Sequence, residues 1–273
     1  MKQGDPNSTG IHLDTSVMLE QFKVASRAYK VVDALCPFRF KSTSTFARHE
    51  LNRTWLTDLA FLYEQTRKHR RIEDVNAQIG KSFQGGQKAR MTRCLEIMQA
   101  HMSVFPGSIS LDAALARLRG HLAHAIVNMQ AWWDRKVSHQ FNGTSCFIAQ
   151  VRPTMAQNGM VDFVLGRCKP KHIRCRVHEF FDKESERFRQ IVAKVQSLED
   201  ASEQSRTSAE TLRQAAGNSK HLCDSNNCRR IGDALIAVDC ESVPVLAANN
   251  DRDWVPLAEV LEKKLINPTR DNQ

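Results

Sequence analysis

The sequence predicts an α/β fold built on an open, mainly parallel sheet. Near the end of the chain, a helix that begins at Asp233 is followed by an apolar segment, residues 243–248, with the pattern of a buried strand. Residues 11–14 form a matching short strand close to the start of the chain, and a helical pattern follows it. Alternating strands and helices are typical of parallel sheets, in which ligands bind at the carboxyl edge of the strands. Both chain ends are therefore expected in one sheet.

The bulk composition indicates a protein that does not enter a membrane. The chain has 273 residues and a mean hydropathy of −0.44. It contains no apolar run close to the ~18 residues that span a bilayer. Residues 1–10 are polar, lack the apolar segment of a signal peptide and are predicted to be a disordered lead-in. We therefore expect a cytoplasmic protein whose cysteines are reduced thiols.

The charge distribution favours a polyanionic partner. The net charge is +9, and basic residues gather in three clusters, residues 67–71, 88–93 and 169–176. Each cluster alone fits a solvated helix face. Together they suit nucleic acid, because each phosphate that a basic side chain neutralises releases a counterion.

Apolar residues at helical spacing predict long helices over residues 110–136 and 177–198, and a third opened by the hydroxyl residues 42–45. Glu50 lies beside the apolar face of that third helix, where a carboxylate needs a partner. Segments 146–151 and 160–165 are predicted to be strands, separated by a turn at residues 158–159. Polar residues 199–220 are predicted to be a solvated helix end or a linker, and residues 249–253 an acidic loop.

Three segments place acidic and hydroxyl residues beside apolar elements: Leu13-Asp-Thr-Ser-Val17, Thr43-Ser-Thr-Phe-Ala-Arg-His-Glu-Leu51, and the helix from Asp233 together with residues 245–254. In this order they resemble a PIN domain, a small α/β nuclease fold. The resemblance implies a three-layer α/β/α fold with a central, mainly parallel sheet. It also implies a discontinuous core, residues 11–65 and 220–265, and a tail, residues 266–273. A mainly helical insertion, residues 66–219, would separate the halves of the core and supply some of its elements.

The resemblance also implies a set of site residues. Asp14, Glu50, Asp233 and Asp251 would be catalytic and would bind Mg²⁺ or Mn²⁺, which prefer hard oxygen ligands. The family often has Ser or Thr two positions before its last acid, and Asn249 stands there, so Asp253 is an alternative ligand to Asp251. The residues that would position the substrate are Thr15, Ser16, Arg229, Arg230 and Arg252.

The function that this resemblance implies is a metal-dependent nuclease, with RNA the favoured substrate. Many compact members are toxins of bacterial toxin–antitoxin pairs, so an inhibitory protein partner is also implied, and the oligomeric state is left open. The alternative is a non-catalytic nucleic-acid-binding or scaffold protein with the same fold.

A second metal hypothesis concerns a basic segment in the insertion. Cys168, His172, Cys175 and His178 have ligand types that suit a Cys₂His₂ zinc site. Their spacing departs from the C-x₂-C pattern of secure zinc sites. We therefore favour a basic turn in which the cysteines are small buried residues.

Overall fold

Five parallel strands form the central sheet of the computed structural model, which describes residues 10–20, 40–83, 87–102, 111–165, 175–240, 242–268 and 270. The strands are β1 (Ile11–Leu13), β2 (Lys41–Ser44), β3 (His139–Phe141), β6 (Val245–Ala247) and β7 (Lys264–Ile266). Their order is β3-β2-β1-β6-β7, so β1 lies at the centre, between β2 and β6. A separate antiparallel pair joins β4 (Thr154–Met155) to β5 (Val161–Asp162). The predicted α/β class with a mainly parallel sheet is confirmed.

Helices account for most of the remaining described chain. In order they are α1 (Thr15–Glu20), α2 (Thr45–Leu51), a π-helical segment (Asn52–Leu56), α3 (Thr57–Lys68), α4 (Ile72–Ser82), α5 (Lys88–Met102), α6 (Leu111–Lys136), a 3₁₀ turn (Phe147–Gln150), α7 (Val177–Lys183), α8 (Ser185–Ser197), α9 (Glu203–Gly217), a second 3₁₀ turn (Ser219–Cys223), α10 (Ser225–Arg230), α11 (Gly232–Asp239) and α12 (Asp251–Val260). None of them is long and apolar enough to cross a membrane.

The centre of the sheet tolerates polar residues because their hydroxyl groups bond to the neighbouring strand. Ser42, Thr43 and Ser44 of β2 are fully buried. Thr43 Oγ1 donates to the Leu13 carbonyl at 2.9 Å. Ser44 caps α2 by accepting the Ala47 N–H at 3.1 Å, which confirms that a hydroxyl residue in the 42–45 segment opens this helix. The carboxyl end of β2 is thus fixed beside that of β1.

The region between residues 66 and 219 contributes both a helical layer and a strand. In α6 the predicted apolar stripe is buried from Leu115 to Trp133, and this helix packs against α3 and α5. Asp58 of α3, itself buried, accepts Arg90 Nε at 2.5 Å and Arg93 Nε at 3.0 Å from α5. The strand β3 from the same region pairs with β2 at the edge of the sheet.

One sequence prediction about local structure is wrong and two are correct only in part. Within the predicted strand 146–151, Phe147–Gln150 form a 3₁₀ turn, and the Ile148 carbonyl accepts a hydrogen bond from Asn52 Nδ2 at 2.7 Å instead of one from a neighbouring strand. The predicted strand at 160–165 is only two residues long, and its partner strand is reached through a turn in which Gly159 has φ 74°. The helix expected over 177–198 divides at Glu184 into α7 and α8.

The segments around residues 199–220 and 249–253 also differ from expectation. Residues 203–217 form α9, a capped helix whose apolar face (Ala209, Leu212, Ala215) packs against α8. Two of these three residues are alanines, so the periodic signal was weak. The acidic loop is shorter than predicted because α12 already begins at Asp251.

Gly143 supplies a test of the packing at the end of β3. Its N–H donates to Asp239 Oδ1 at 2.9 Å, and a Cβ at this position would collide with that oxygen and lie 2.6 Å from the Phe180 ring. We expect Gly143→Ala to lower the free energy of unfolding by about 1–3 kcal/mol, as overpacking does. Gly120→Ala is the control, because a Cβ inside α6 meets nothing within 4 Å and should raise stability by about 0.5–1 kcal/mol. Urea unfolding measures both, and equal effects would contradict the close approach.

Candidate active site

Three of the predicted acids, from separate segments, line one pocket at the carboxyl edge of the sheet, and Glu203 at the start of α9 also lines it. Asp14 follows β1, Glu50 lies in α2 after β2, and Asp233 is the second residue of α11. The pocket, which we call the acidic pocket, has a volume of about 840 Å³. The order of the strands explains this convergence, since the carboxyl ends of adjacent parallel strands meet at one edge.

One carboxylate oxygen of Asp14 accepts hydrogen bonds from the start of α1, and the other has no partner among the described residues. Ser16 donates to Asp14 Oδ2 twice, from its backbone N–H at 3.0 Å and from its hydroxyl at 2.5 Å. Asp14 is only 5% exposed, and its Oδ1 is buried without a hydrogen-bond partner among the described residues. Burial raises the pKa of Asp14, and the Ser16 hydrogen bonds oppose that rise. A buried carboxylate oxygen without a partner is costly, so Oδ1 is suited to a ligand.

Glu50 approaches the start of α11 very closely. Thr15 Oγ1 donates to its Oε2 at 2.5 Å. A Cβ on Gly232 would lie 2.6 Å from the other carboxylate oxygen, Oε1, so a larger residue next to Asp233 would displace the Glu50 carboxylate. Burial raises the pKa of Glu50, and repulsion from Asp233 and Asp14 raises it further. The three carboxyl groups are therefore close enough to oppose one another's ionisation.

Asp233 receives its hydrogen bond from the region between the two chain ends. Gln204, near the start of α9, donates from Nε2 to Asp233 Oδ2 at 3.0 Å. Burial, followed by repulsion from Asp14 and from Asp253, raises the pKa of Asp233 to about 7. The helix α9 thus forms one wall of the acidic pocket and orients one of its acids.

The carboxylate set fits a hydrated divalent cation better than an ion enclosed by protein. Among the described side chains, no three His, Cys, Asp or Glu residues are arranged as a ready-made metal site. Mg²⁺, however, is commonly held by one or two carboxylates, with waters completing its shell. Asp14, with its unpartnered Oδ1, and Asp233 are the pair that fits this description.

The structure does not bring the remaining predicted acids into the lining of the acidic pocket. Asp251 accepts Asn267 Nδ2 at 2.8 Å and pairs with Arg270 at 3.1 Å. Asp253 is buried and accepts hydrogen bonds from Ser202, Ser205 and Asn250, which join the start of α12 to the start of α9. These bonds give Asp253 a structural role and leave its charge close enough to act on Asp233. Arg252 also lies elsewhere, with Nη2 donating to the Asp200 carbonyl at 3.2 Å.

Basic and polar side chains complete the lining of the acidic pocket. Of the predicted substrate-positioning residues, Thr15, Ser16, Arg229 and Arg230 are present. Sequence reasoning missed Arg53, Arg93, His49 and Gln204, which also line it. Arg53 carried a usable signal, because it lies three residues after Glu50 and so on the same helical face. Gln204 and the adjacent Glu203, which also lines the pocket, carried none, since they lie in a polar stretch remote in sequence from Asp14, Glu50 and Asp233.

The zinc hypothesis stays a prediction. Cys168 and His172 lie outside the described residues. Cys175 is buried, and His178 Nδ1 lies 3.3 Å from the Sγ of Cys223, which was not in the predicted set. Burial and the nearby Cys175 raise the pKa of Cys223 to about 12, so this thiol keeps its proton in the structure as described.

Comparisons of the chain with protein-family models, with curated proteins and with solved structures gave no match. What the acidic pocket does is therefore inferred from its own residues.

Neutralising one acid tests the repulsion inside the acidic pocket. The folded-state pKa of Asp233 is raised, so its ionisation costs stability as the pH rises from about 4 towards about 7. We expect Asp233→Asn to raise the melting temperature at pH 8 without metal by at least ~2 °C, and to raise it less at pH 5. Differential scanning fluorimetry in EDTA measures this. The control is Asp162→Asn, an exposed acid of β5 that should change little. A variant no more stable than wild type at pH 8 would contradict the repulsion.

Proposed function

We propose that this chain is a PIN-like, metal-dependent nuclease that hydrolyses phosphodiester bonds, with RNA as the favoured substrate. The observation that carries the proposal is the convergence of Asp14, Glu50 and Asp233 in one pocket, with Asp14 Oδ1 buried and unpartnered. One buried and two half-buried acids that oppose one another's ionisation are unfavourable without a cation, so a binding role explains them better than a structural one. The net charge of +9 and the arginines of the same pocket suit a polyanionic substrate.

The carboxylates of the acidic pocket would together hold a cation. Asp14 and Asp233 would bind Mg²⁺ or Mn²⁺, and Glu50 completes the carboxylate set. When bound, such an ion supplies a water of lowered pKa and offsets the charge that develops on phosphate oxygens.

The surrounding side chains orient the acids and face the substrate. Ser16 holds Asp14 Oδ2 and so leaves Oδ1 open. Thr15 fixes one oxygen of Glu50, and Gln204 fixes one oxygen of Asp233. Arg229, whose charge lowers the pKa of Glu50, and Arg230 lie where a phosphate backbone would enter.

One observation favours the alternative, a non-catalytic nucleic-acid-binding or scaffold protein with the same fold. Asp251, the fourth acid of the expected set, is bonded to Asn267 and Arg270 instead of lining the acidic pocket. The three predicted acids that do line the pocket would still suffice for a hydrated cation, and Glu203 lines the pocket as well. The two functions therefore differ in whether bound nucleic acid is cut.

Cleavage of a mixed substrate panel decides between these functions. Labelled single-stranded RNA, transfer RNA and single-stranded DNA are incubated with Mg²⁺, with Mn²⁺ or with EDTA. We expect metal-dependent cutting of RNA, lowered at least ~100-fold in Asp14→Asn/Asp233→Asn because charge stabilisation in the transition state is lost.

The matched control for this panel is Asp162→Asn, which should cut at the wild-type rate. Cutting that persists in the double variant would indicate a contaminating nuclease. Binding without cutting, equal in wild type and double variant, would contradict the nuclease and support the non-catalytic function.

A further inference from the structure

One side of the acidic pocket is lined by arginine side chains that the protein does not hold in hydrogen bonds or ion pairs among the described residues. Arg53, Arg229 and Arg230 line the pocket, and the described part of the chain shows no ion pair or hydrogen bond to any of the three guanidinium groups. Arg229 and Arg230 are exposed, whereas Arg53 is half-buried. Its Nη1 is fully buried and has no hydrogen-bond partner among the described residues. Burial of this nitrogen therefore costs free energy that no hydrogen bond offsets.

Another arginine of the same pocket, Arg93, does have an acidic partner. Arg93 also lines the pocket, but its Nε donates at 3.0 Å to the buried Asp58, which in turn pairs with Arg90. Arg93 is thereby held as part of the packing between α3 and α5. Arg53 has no such acid, although Glu50 lies only one helical turn before it. A guanidinium offers five donors in a planar fork, so the missing partner has the character of an oxyanion.

His49 adds a second buried nitrogen next to these charges. It is 1% exposed, stacks on Phe46 with ring centroids 4.7 Å apart, and has its Nδ1 3.0 Å from Cys146 Sγ. Its other ring nitrogen, Nε2, is buried without a hydrogen-bond partner among the described residues. A buried polar atom of this kind needs a partner, so Nε2 is suited to a ligand.

We propose that Arg53, Arg229 and Arg230, with Nε2 of His49, form a phosphate subsite that binds one backbone phosphate of a polynucleotide beside the carboxylates. This assignment rests on the proposed function for its substrate, since the phosphate belongs to the strand to be cut. The subsite differs from the cation site in its chemistry, because it carries its own positive charge. It therefore binds the strand without a divalent cation.

Binding without metal tests the subsite. Fluorescence anisotropy in EDTA measures the Kd of a labelled single-stranded RNA with a 2′-O-methyl backbone, which cannot be cut through its 2′-hydroxyl groups. We expect Arg53→Gln to weaken binding roughly ten- to hundredfold, the loss of a charge-assisted hydrogen bond to a phosphate. It should also reduce the salt dependence by about one phosphate contact. Arg229→Gln, at an exposed position, should weaken binding in the same direction and checks that the effect does not come from misfolding.

Arg117→Gln is the matched control, because Arg117 is exposed on α6 and outside the lining of the acidic pocket. It removes the same charge and should change Kd by less than about twofold, since distant exposed charges are screened. Equal weakening by Arg117→Gln, or wild-type binding by Arg53→Gln and Arg229→Gln, would overturn the subsite. Displacement of the RNA by micromolar inorganic phosphate would overturn its assignment to a polynucleotide.

The same variants separate this inference from the nuclease proposal. Asp14→Asn should bind the uncut RNA in EDTA at least as tightly as wild type, because it removes a negative charge from the pocket. Arg53-dependent binding in a protein that cuts nothing would support the subsite and contradict the nuclease. Metal-dependent cutting with binding unaffected by Arg53→Gln and Arg229→Gln would contradict the subsite alone.

Discussion

Mutual repulsion among the carboxylates of the acidic pocket is the constraint on which the geometry of this protein depends. Asp14, Glu50 and Asp233 raise the cost of one another's ionisation, and none of them forms an ion pair with any described residue. Their positions are nevertheless over-determined. The central strand β1 is bonded on both sides, by β2 and by β6, and the N–H of Asp14 itself donates to the Ala247 carbonyl at 2.9 Å. The sheet thus holds together charges that would separate in a flexible chain.

The region between the two chain ends takes part in the candidate site as well as in the helical layer. The helix α9 supplies Gln204 to Asp233, and Ser202 and Ser205 at its start bind Asp253 of α12. The Asp253 carboxylate therefore links α9 to α12 through hydrogen bonds. The same side chain raises the pKa of Asp233, so Asp253 also contributes to the repulsion in the pocket.

Local patterns in the sequence were sufficient to predict the parts of the fold that bury continuous apolar surface. An unbroken apolar pattern predicted three of these elements: the strand before Asp14, the stripe of α6 and the helix that carries Asp233. The segment of α9 was not predicted in this way, since alanine and serine give little contrast between its two faces. The strand β3 was also missed, because three half-exposed residues at a sheet edge have no hydrophobic alternation to detect.

The candidate site was predictable only where a residue adjoins an element that has such a signal. Asp14, Glu50 and Asp233 meet this condition. The positions of Asp251, Gln204 and Arg53 depend on tertiary contacts, for example the bonds of Asp251 to Asn267 and Arg270, which have no counterpart in local sequence.

We propose that the acidic pocket holds a divalent cation between Asp14 and Asp233. Crystals grown with Mn²⁺ and measured at the manganese absorption edge would show whether it does, because anomalous scattering locates the ion without reference to any assumed chemistry. We expect one strong anomalous peak within coordination distance of Asp14 Oδ1 and an Asp233 oxygen, absent from crystals of Asp14→Asn. A pocket without an anomalous peak at saturating Mn²⁺, or an ion bound only elsewhere, would contradict it.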